Sequence, residues 1–193
     1  MSLIKELLSQ NGVEVTNEQA KKLFRFCELL RAWNKTHSLT SMRKDEEFND
    51  AVLDSVYPLT FASDFGSLLD IGSGAGFPAM PLAIVKNDAH FTLCEPLSKK
   101  YAFLQFAKLE LELDNITVKK NRVEELAGME FDMISSRAVT NSQTLIDLSS
   151  PLLKTGGSWL FYKGERSASE IEGQNVQIYT KNRRHYVLIR KES

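Results

Sequence analysis

The sequence predicts a doubly wound α/β fold of about seven strands with an N-terminal helical extension. Three observations lead there. Residues 1–60 read as helical, with apolar positions at helical spacing. From Ser67 onward, short apolar runs alternate with helical stretches at intervals that fit βαβ units. The first of those runs ends in a glycine cluster, Gly72, Gly74 and Gly76, beside which a doubly wound sheet presents its ligand site.

The elements follow in order. Thr16 and Gln19 have the spacing of a capping box, in which two side chains satisfy free amides at a helix start. Ala20, Leu23, Phe24, Cys27, Leu30 and Trp33 then form one apolar stripe. A further helix runs from near Asp45 to Tyr57, with Phe48, Val52 and Val56 on its buried face and Pro58 as its limit. Residues 68–71 suit a parallel strand buried on both faces. Residues 78–85 read as a helix with Pro78 in its first turn, where proline is tolerated. Residues 90–94 give the second strand, and Ser98 is expected to cap a long helix carrying Tyr101, Leu104, Ala107 and Leu111. Residues 116–118 and 131–135 give the third and fourth strands, 142–153 a helix, and 154–157 a turn into a fifth strand over 158–162. Residues 176–179 and 186–189 flank a basic stretch and predict an antiparallel hairpin. There is no internal repeat or long linker, so residues 1–62 are expected to pack on a core formed by 63–193.

Composition narrows the class. Hydrophobic residues make up 42% and charged residues 25%, ordinary for a globular chain, and a formal charge of −1 gives no global positive field. The charge is uneven: residues 160–193 hold seven Lys/Arg against four Asp/Glu, and residues 1–66 hold eight against ten. A local basic patch is compatible with that distribution. Cys27 and Cys94 lie apart in apolar stretches and read as small buried hydrophobes, and three scattered histidines add no metal-ligand spacing. No metal is expected. The N-terminus has no signal-peptide core and no apolar run reaches membrane length, so a cytoplasmic location away from the membrane is expected, with a monomer favoured.

The chemistry centres on Asp70-Ile71-Gly72-Ser73-Gly74-Ala75-Gly76-Phe77-Pro78. Glycines let the backbone turn sharply and approach a ligand. A dinucleotide fingerprint is G-x-G-x-x-G, but Phe77 stands where its third glycine belongs and obstructs a pyrophosphate. S-adenosylmethionine has no pyrophosphate and needs open backbone, a ribose partner and an apolar face for adenine. Glu95 ends the second strand, 23 residues after Gly72, where a carboxylate accepts hydrogen bonds from ribose hydroxyls. After the third strand, Val123 can give adenine an apolar face, and Glu124 or a backbone amide can bind its edge. Arg137 follows the fourth strand and can orient a base or a carboxylate, or serve as a structural ion pair. Lys163 ends the fifth strand and is either a phosphate contact or a solvated lysine.

At these residues the chain resembles the glucose-inhibited division protein B family, the RsmG-type methyltransferases of bacterial small-subunit rRNA. The resemblance rests on the glycine turn, Arg122-Val123-Glu124-Glu125, Ser136-Arg137-Ala138 and Lys163-Gly164. It extends to Trp33-Asn34-Lys35, Leu39-Thr40-Ser41 and Leu53-Asp54-Ser55, and so covers nearly the whole chain. It implies a Rossmann-like class I methyltransferase fold and methyl transfer from S-adenosyl-L-methionine to N7 of a guanine in 16S rRNA. It also implies a cofactor site lined by Gly72, Phe77, Val123, Glu124 and Arg137, with Glu95 in the ribose position of the wider class. Two departures stand out. Ser38 occupies a position usually held by Asn, and Ala51 one usually held by His.

Absent motifs point the same way. An Asn/Asp-Pro-Pro-aromatic loop, used for exocyclic amines, is replaced by Ser135-Ser136-Arg137-Ala138, and Cys94 is expected inside a strand rather than as a nucleophile. Guanine N7 needs neither, so no catalytic residue beyond positioning groups is expected. Lys35, Arg43, Arg183 and Arg184 are the expected RNA surface, and His37, His90 and His185 are expected to lie away from the crevice. The competing readings are a methyltransferase for another substrate and a non-catalytic cofactor- or RNA-binding module. A nicotinamide oxidoreductase is disfavoured by Phe77.

Overall fold

The computed structural model describes residues 2–137, 142–164, 175–181 and 184–192. Helices α1 (Ser2–Ser9), α2 (Asn17–His37) and α3 (Asp45–Val56) precede the sheet. Then come β1 (Ser67–Ile71), α4 (Ala79–Val85), β2 (His90–Cys94), α5 (Ser98–Glu110), β3 (Ile116–Lys119), β4 (Phe131–Arg137), α6 (Ser142–Ser149), β5 (Leu153–Gly164), β6 (Val176–Lys181) and β7 (Arg184–Arg190). The strand order is β3-β2-β1-β4-β5-β7-β6. The first five strands are parallel, and β7 runs antiparallel between β5 and β6. The doubly wound α/β expectation and its seven strands are met, with the chain reversing its winding between β1 and β4.

Alternation along the strands builds two cores. Leu68, Phe91, Leu93, Met133, Leu160, Tyr162, Tyr186 and Leu188 face the larger one, against α1–α5. Leu69, Ile71, Cys94, Ile134, Trp159, Phe161, Val187 and Ile189 face the other, beneath α6. Residues of the first three helices, among them Leu8, Leu23, Phe26, Leu30, Phe48 and Val52, belong to the larger core itself. No helix among the described residues is long and apolar enough to cross a membrane.

The capping box forms: the Gln19 amide donates to Thr16 Oγ1 at 3.1 Å, and the Thr16 amide donates to Gln19 Oε1 at 2.9 Å. The stripe behind it is rotated from the expected one. Phe24 is exposed, Trp33 is half-buried, and Phe26 and Leu29 are buried in their stead. Two residues along a helix are roughly 200° apart around its axis, so Phe24 and Phe26 cannot share a face. Tertiary packing chose Phe26, which meets Phe77 edge-on at 5.2 Å and Phe103 at 6.2 Å. Ser38 closes α2 in the left-handed conformation, φ 51° and ψ 49°. Asn adopts that region more readily than other β-substituted residues, which accounts for the Asn usual at this position.

Four further expectations are corrected. Pro78 immediately precedes α4 rather than starting it. Ser98 does not cap α5; Leu97 holds that position, and its amide donates to Glu95 Oε1 at 2.9 Å. The helix over 142–153 stops at Ser149, because Pro151 enters a 3-10 turn over Ser150–Leu152. The turn expected at 154–157 lies inside β5, where Leu153 already pairs with Phe131 and the register is irregular before Met133. Gly157 belongs there, since a β-carbon would lie 2.8 Å from the Asp132 carbonyl oxygen.

At the switch between β1 and β4, Asp70 is fully buried. The Ser135 hydroxyl donates to its Oδ1 at 2.6 Å, while Oδ2 has no hydrogen-bond partner among the described residues. Burial pushes its carboxyl up to about 6, partly countered by the Ser135 hydroxyl. Between an unfolded value of 3.8 and about 6, the folded state holds a proton that the unfolded chain releases. Stability therefore falls as pH rises through that window, by about 3 kcal/mol. Asp70→Asn keeps an acceptor for Ser135 and removes the ionisation. Urea unfolding at pH 4 and pH 7 should show the variant gaining about 2 kcal/mol relative to wild type at the higher pH, since part of the window lies below pH 4. A difference independent of pH would mean that Asp70 ionises freely.

Candidate functional site

The carboxyl ends of β1, β2, β3 and β4 open into a cleft of about 770 Å³. Its floor is the turn after β1. The amides of Gly72 and Ser73 donate to the Cys94 carbonyl at 2.9 and 3.2 Å, which ties the turn to β2. Gly72, Gly74 and Gly76 all have positive φ, at 71°, 57° and 94°. Gly72 and Gly74 line the cleft. Gly76 does not; a β-carbon there would lie 2.7 Å from Met80 Cγ and 3.0 Å from Phe26 Cζ. Its expected ligand contact is replaced by a packing role, which lets α2 and α4 close on the turn.

Glu95 forms one wall. It is only 3% exposed, accepting from the Gly74 amide at 2.9 Å through Oε2 and from the Leu97 amide at 2.9 Å through Oε1. Each oxygen keeps a further lone pair, so the carboxylate is held in place with capacity to accept again. Opposite, buried Val123 and exposed Glu124 line the cleft in a short 3-10 turn after β3.

Phe77 and Arg137 close the inner end. Phe77 is buried beneath Phe26, and the Arg137 guanidinium lies 5.8 Å from its ring centre. Arg137 comes from the last pairing position of β4, two residues beyond the expected strand end. Its Nη1 lies 3.6 Å from Asp54 Oδ2 on α3. Asp54 is itself buried and joined to β7, with its Oδ1 accepting from the Tyr186 hydroxyl at 3.0 Å and from Arg184 Nε at 3.1 Å. Burial raises the Asp54 carboxyl and lowers the Arg137 guanidinium, and each charge counters the shift of the other. The Tyr162 hydroxyl donates to the Ser55 carbonyl at 2.8 Å and adds a tie from β5 to α3.

The structure thus brings together Gly72, Gly74, Phe77, Glu95, Val123, Glu124 and Arg137. It leaves out Lys163, which is half-buried at the end of β5, 6.0 Å from the Phe161 ring centre and not among the residues lining the cleft. Of the expected RNA surface, Lys35 and Arg43 are exposed, Arg184 is committed to Asp54, and Arg183 lies outside the described residues. The histidines stay away: His37 packs on Trp33, His90 pairs with Thr117 and His185 with Thr180. Sequence reasoning missed the loop Leu39–Met42, Lys100 on α5 and Leu145 on α6, all of which line the cleft. Asn34 gives that loop its form. Its amide donates to the Thr40 carbonyl and its oxygen accepts from the Thr40 amide, both at 2.9 Å. The Asn-x5-Thr spacing was the available signal.

Comparison with known proteins supplies the lineage. The family described as GidB, rRNA small subunit methyltransferase G, matches residues 19–192. "Ribosomal RNA small subunit methyltransferase G" of Wolinella succinogenes is 41% identical over 187 residues, which cover 96% of this chain and 97% of that protein. The protein of the same name from Helicobacter pylori strain J99 is 43% identical over 169 residues, 87% of this chain and 95% of its own. Among solved structures, a methyltransferase from Geobacter sulfurreducens superimposes with a TM-score of 0.68 at 8% identity, covering 86% of this chain and 90% of its own. A SAM-dependent O-methyltransferase from Thermotoga maritima gives 0.58 at 14% identity, covering 85% and 71%. The two structures share the fold, and the family match spans residues 19–192 with relatives above 40% identity over most of the chain, so the chain belongs to the GidB family.

Proposed function

We propose that the chain is a cytoplasmic, monomeric enzyme that transfers a methyl group from S-adenosylmethionine to N7 of a guanine in 16S rRNA. The observation that carries this reading is the cleft at the β1/β4 switch, with open glycine backbone on its floor and a pinned carboxylate in its wall. The cleft fits the cofactor's parts. Gly72 and Gly74 leave room for the amino-acid end, Glu95 accepts from the ribose hydroxyls, and Val123 and Glu124 meet adenine. Arg137 orients the groups that meet at the inner end.

When bound, the cofactor supplies an electrophilic methyl group on a sulfonium. The protein's part is alignment. N7 of guanine has an in-plane lone pair and no proton at neutral pH, so no base is required, and correct positioning alone accounts for large accelerations. Among the described residues, the cleft offers no activated nucleophile. Burial pushes the Cys94 thiol up to about 12, and its Sγ donates to the Asn121 carbonyl at 3.0 Å. Lys35 and Arg43 contribute positive surface for RNA phosphates.

Incubation with labelled S-adenosylmethionine and small subunits lacking the modification tests the reading directly. Label should enter the rRNA at one guanine; label in protein, or none, would refute it. Glu95→Ala should weaken cofactor binding at least tenfold in titration calorimetry on folded protein, since a charged hydrogen bond contributes roughly 1.5–3 kcal/mol. Unchanged affinity would place the ribose elsewhere. The single-turnover rate should be nearly flat from pH 7 to pH 9, above the Asp70 ionisation, and Cys94→Ser should stay within a few-fold of wild type. A general base typically contributes about 10²–10⁴-fold. An ionisation near neutrality that vanishes with one Cys or His substitution would overturn the positioning mechanism.

A further inference from the structure

A second cavity of about 510 Å³ adjoins the cleft, and Met42 and Arg137 line both. One wall is a face of α3. Glu47, Asp50 and Asp54, spaced three and four apart, follow one side of the helix and all line the cavity. Ala51, which stands where the family usually has histidine, is buried and leaves that wall low.

The charges of this cavity are unequally engaged. Of its cations, Arg184 bonds Asp54, Lys181 Nζ sits 4.6 Å from the centre of the Tyr57 ring, and Arg137 faces Asp54 at 3.6 Å with its Nη1 left without a hydrogen-bond partner among the described residues. Its acceptors are in surplus. Asp50 is exposed and makes no hydrogen bond or ion pair among the described residues, while Glu47 uses only Oε2, on the Arg43 and Lys44 amides. Asp54, with its side chain 9% exposed, has an Oδ2 that lacks a hydrogen-bond partner among the described residues, since Arg137 Nη1 stops at 3.6 Å. A buried acceptor left unsatisfied is costly, and such groups mark places where a donor arrives. Toward α3, the cavity therefore calls for a ligand that presents donors.

We infer that the second cavity receives the target guanine and that the α3 carboxylates, Asp50 foremost, accept from its N1–H and N2–H₂ edge. This rests on the N7 reading given above. The geometry is consistent with it. The 2-amino group lies across the ring system from N7, so a base with its amino edge on α3 turns N7 toward the wall shared with the cofactor cleft. Among the standard bases, guanine alone pairs an N1 donor with a neighbouring exocyclic amine, which suits a carboxylate with two free oxygens. The base must be out of its stack to enter, as for other enzymes that modify bases. Asp50 is thereby a specificity-determining residue, and Asp54 positions Arg137 at the shared wall.

The test uses small-subunit particles reconstituted with rRNA that carries guanosine, inosine or 7-deazaguanosine at the target. Inosine lacks only the 2-amino group. Wild-type kcat/KM should fall about tenfold to a hundredfold on inosine, the range of one charged hydrogen bond. Asp50→Ala should lose a similar factor on guanosine and show no further penalty on inosine, with cofactor binding unchanged as the check on folding. Asp50 is exposed, so the variant leaves the core intact. Equal wild-type rates on guanosine and inosine would overturn the inference, as would an inosine penalty that persists in full in Asp50→Ala. Absence of methylation on 7-deazaguanosine keeps the N7 reading standing in either case, so the two can fail separately. Methylation of 7-deazaguanosine would overturn both.

Discussion

The close approach of Phe26 to the backbone at Gly76 is the constraint on which the site depends. Any β-carbon at residue 76 would collide with Phe26 and Met80, and φ there is +94°. With glycine in place, α2 and α4 both settle on the turn, and Phe77 is held edge-on beneath Phe26. Phe77 in turn gives Arg137 an aromatic face to lie against. The helical extension thus belongs to the site. Without α2, the Gly76 end of the turn and Phe77 would lose their packing on Phe26, and Arg137 would lose one of its two supports.

The other support is Asp54. A buried carboxylate is tolerated only with compensating partners, and this one draws them from β4 and β7, both distant in the chain. Its two oxygens are unequal. Oδ1 is satisfied twice, while Oδ2 and Arg137 Nη1 face each other beyond hydrogen-bonding range. A loosely held guanidinium between two cavities can respond to a ligand in either, whereas a tightly bonded pair would resist both.

Local rules made much of this legible in the sequence. The capping box at Thr16, the bounds of β2, the hairpin and the cleft-lining part of the glycine turn follow from spacing and residue type. Glu95 was legible as a strand-end acid, but its attachment to the Gly74 and Leu97 amides was not, and that attachment takes the place of the cap expected from Ser98. Phe24 and Phe26 are equally apolar, so only the position of Phe77 decides between them. The role of Gly76 was misread because flexibility and close packing require the same residue. The second cavity was invisible for a related reason. Its walls come from Met42, α3, Arg137, Lys181, Arg184 and Tyr186, and the placement of β7 inside β6 brings them together.

That placement makes two parts of the molecule depend on different stretches of the chain. Strand β7 is made after β6 but lies inside it, against β5. Without β7, β5 would have one unpaired edge, and Asp54 would lack both Tyr186 and Arg184. The turn after β1, by contrast, is tied to Cys94 and Glu95 and packs against Phe26 and Met80. The Asp54 cluster therefore depends on the strand made last, while the contacts that shape the glycine turn come from Phe26, Met80, Cys94 and Glu95, all made earlier.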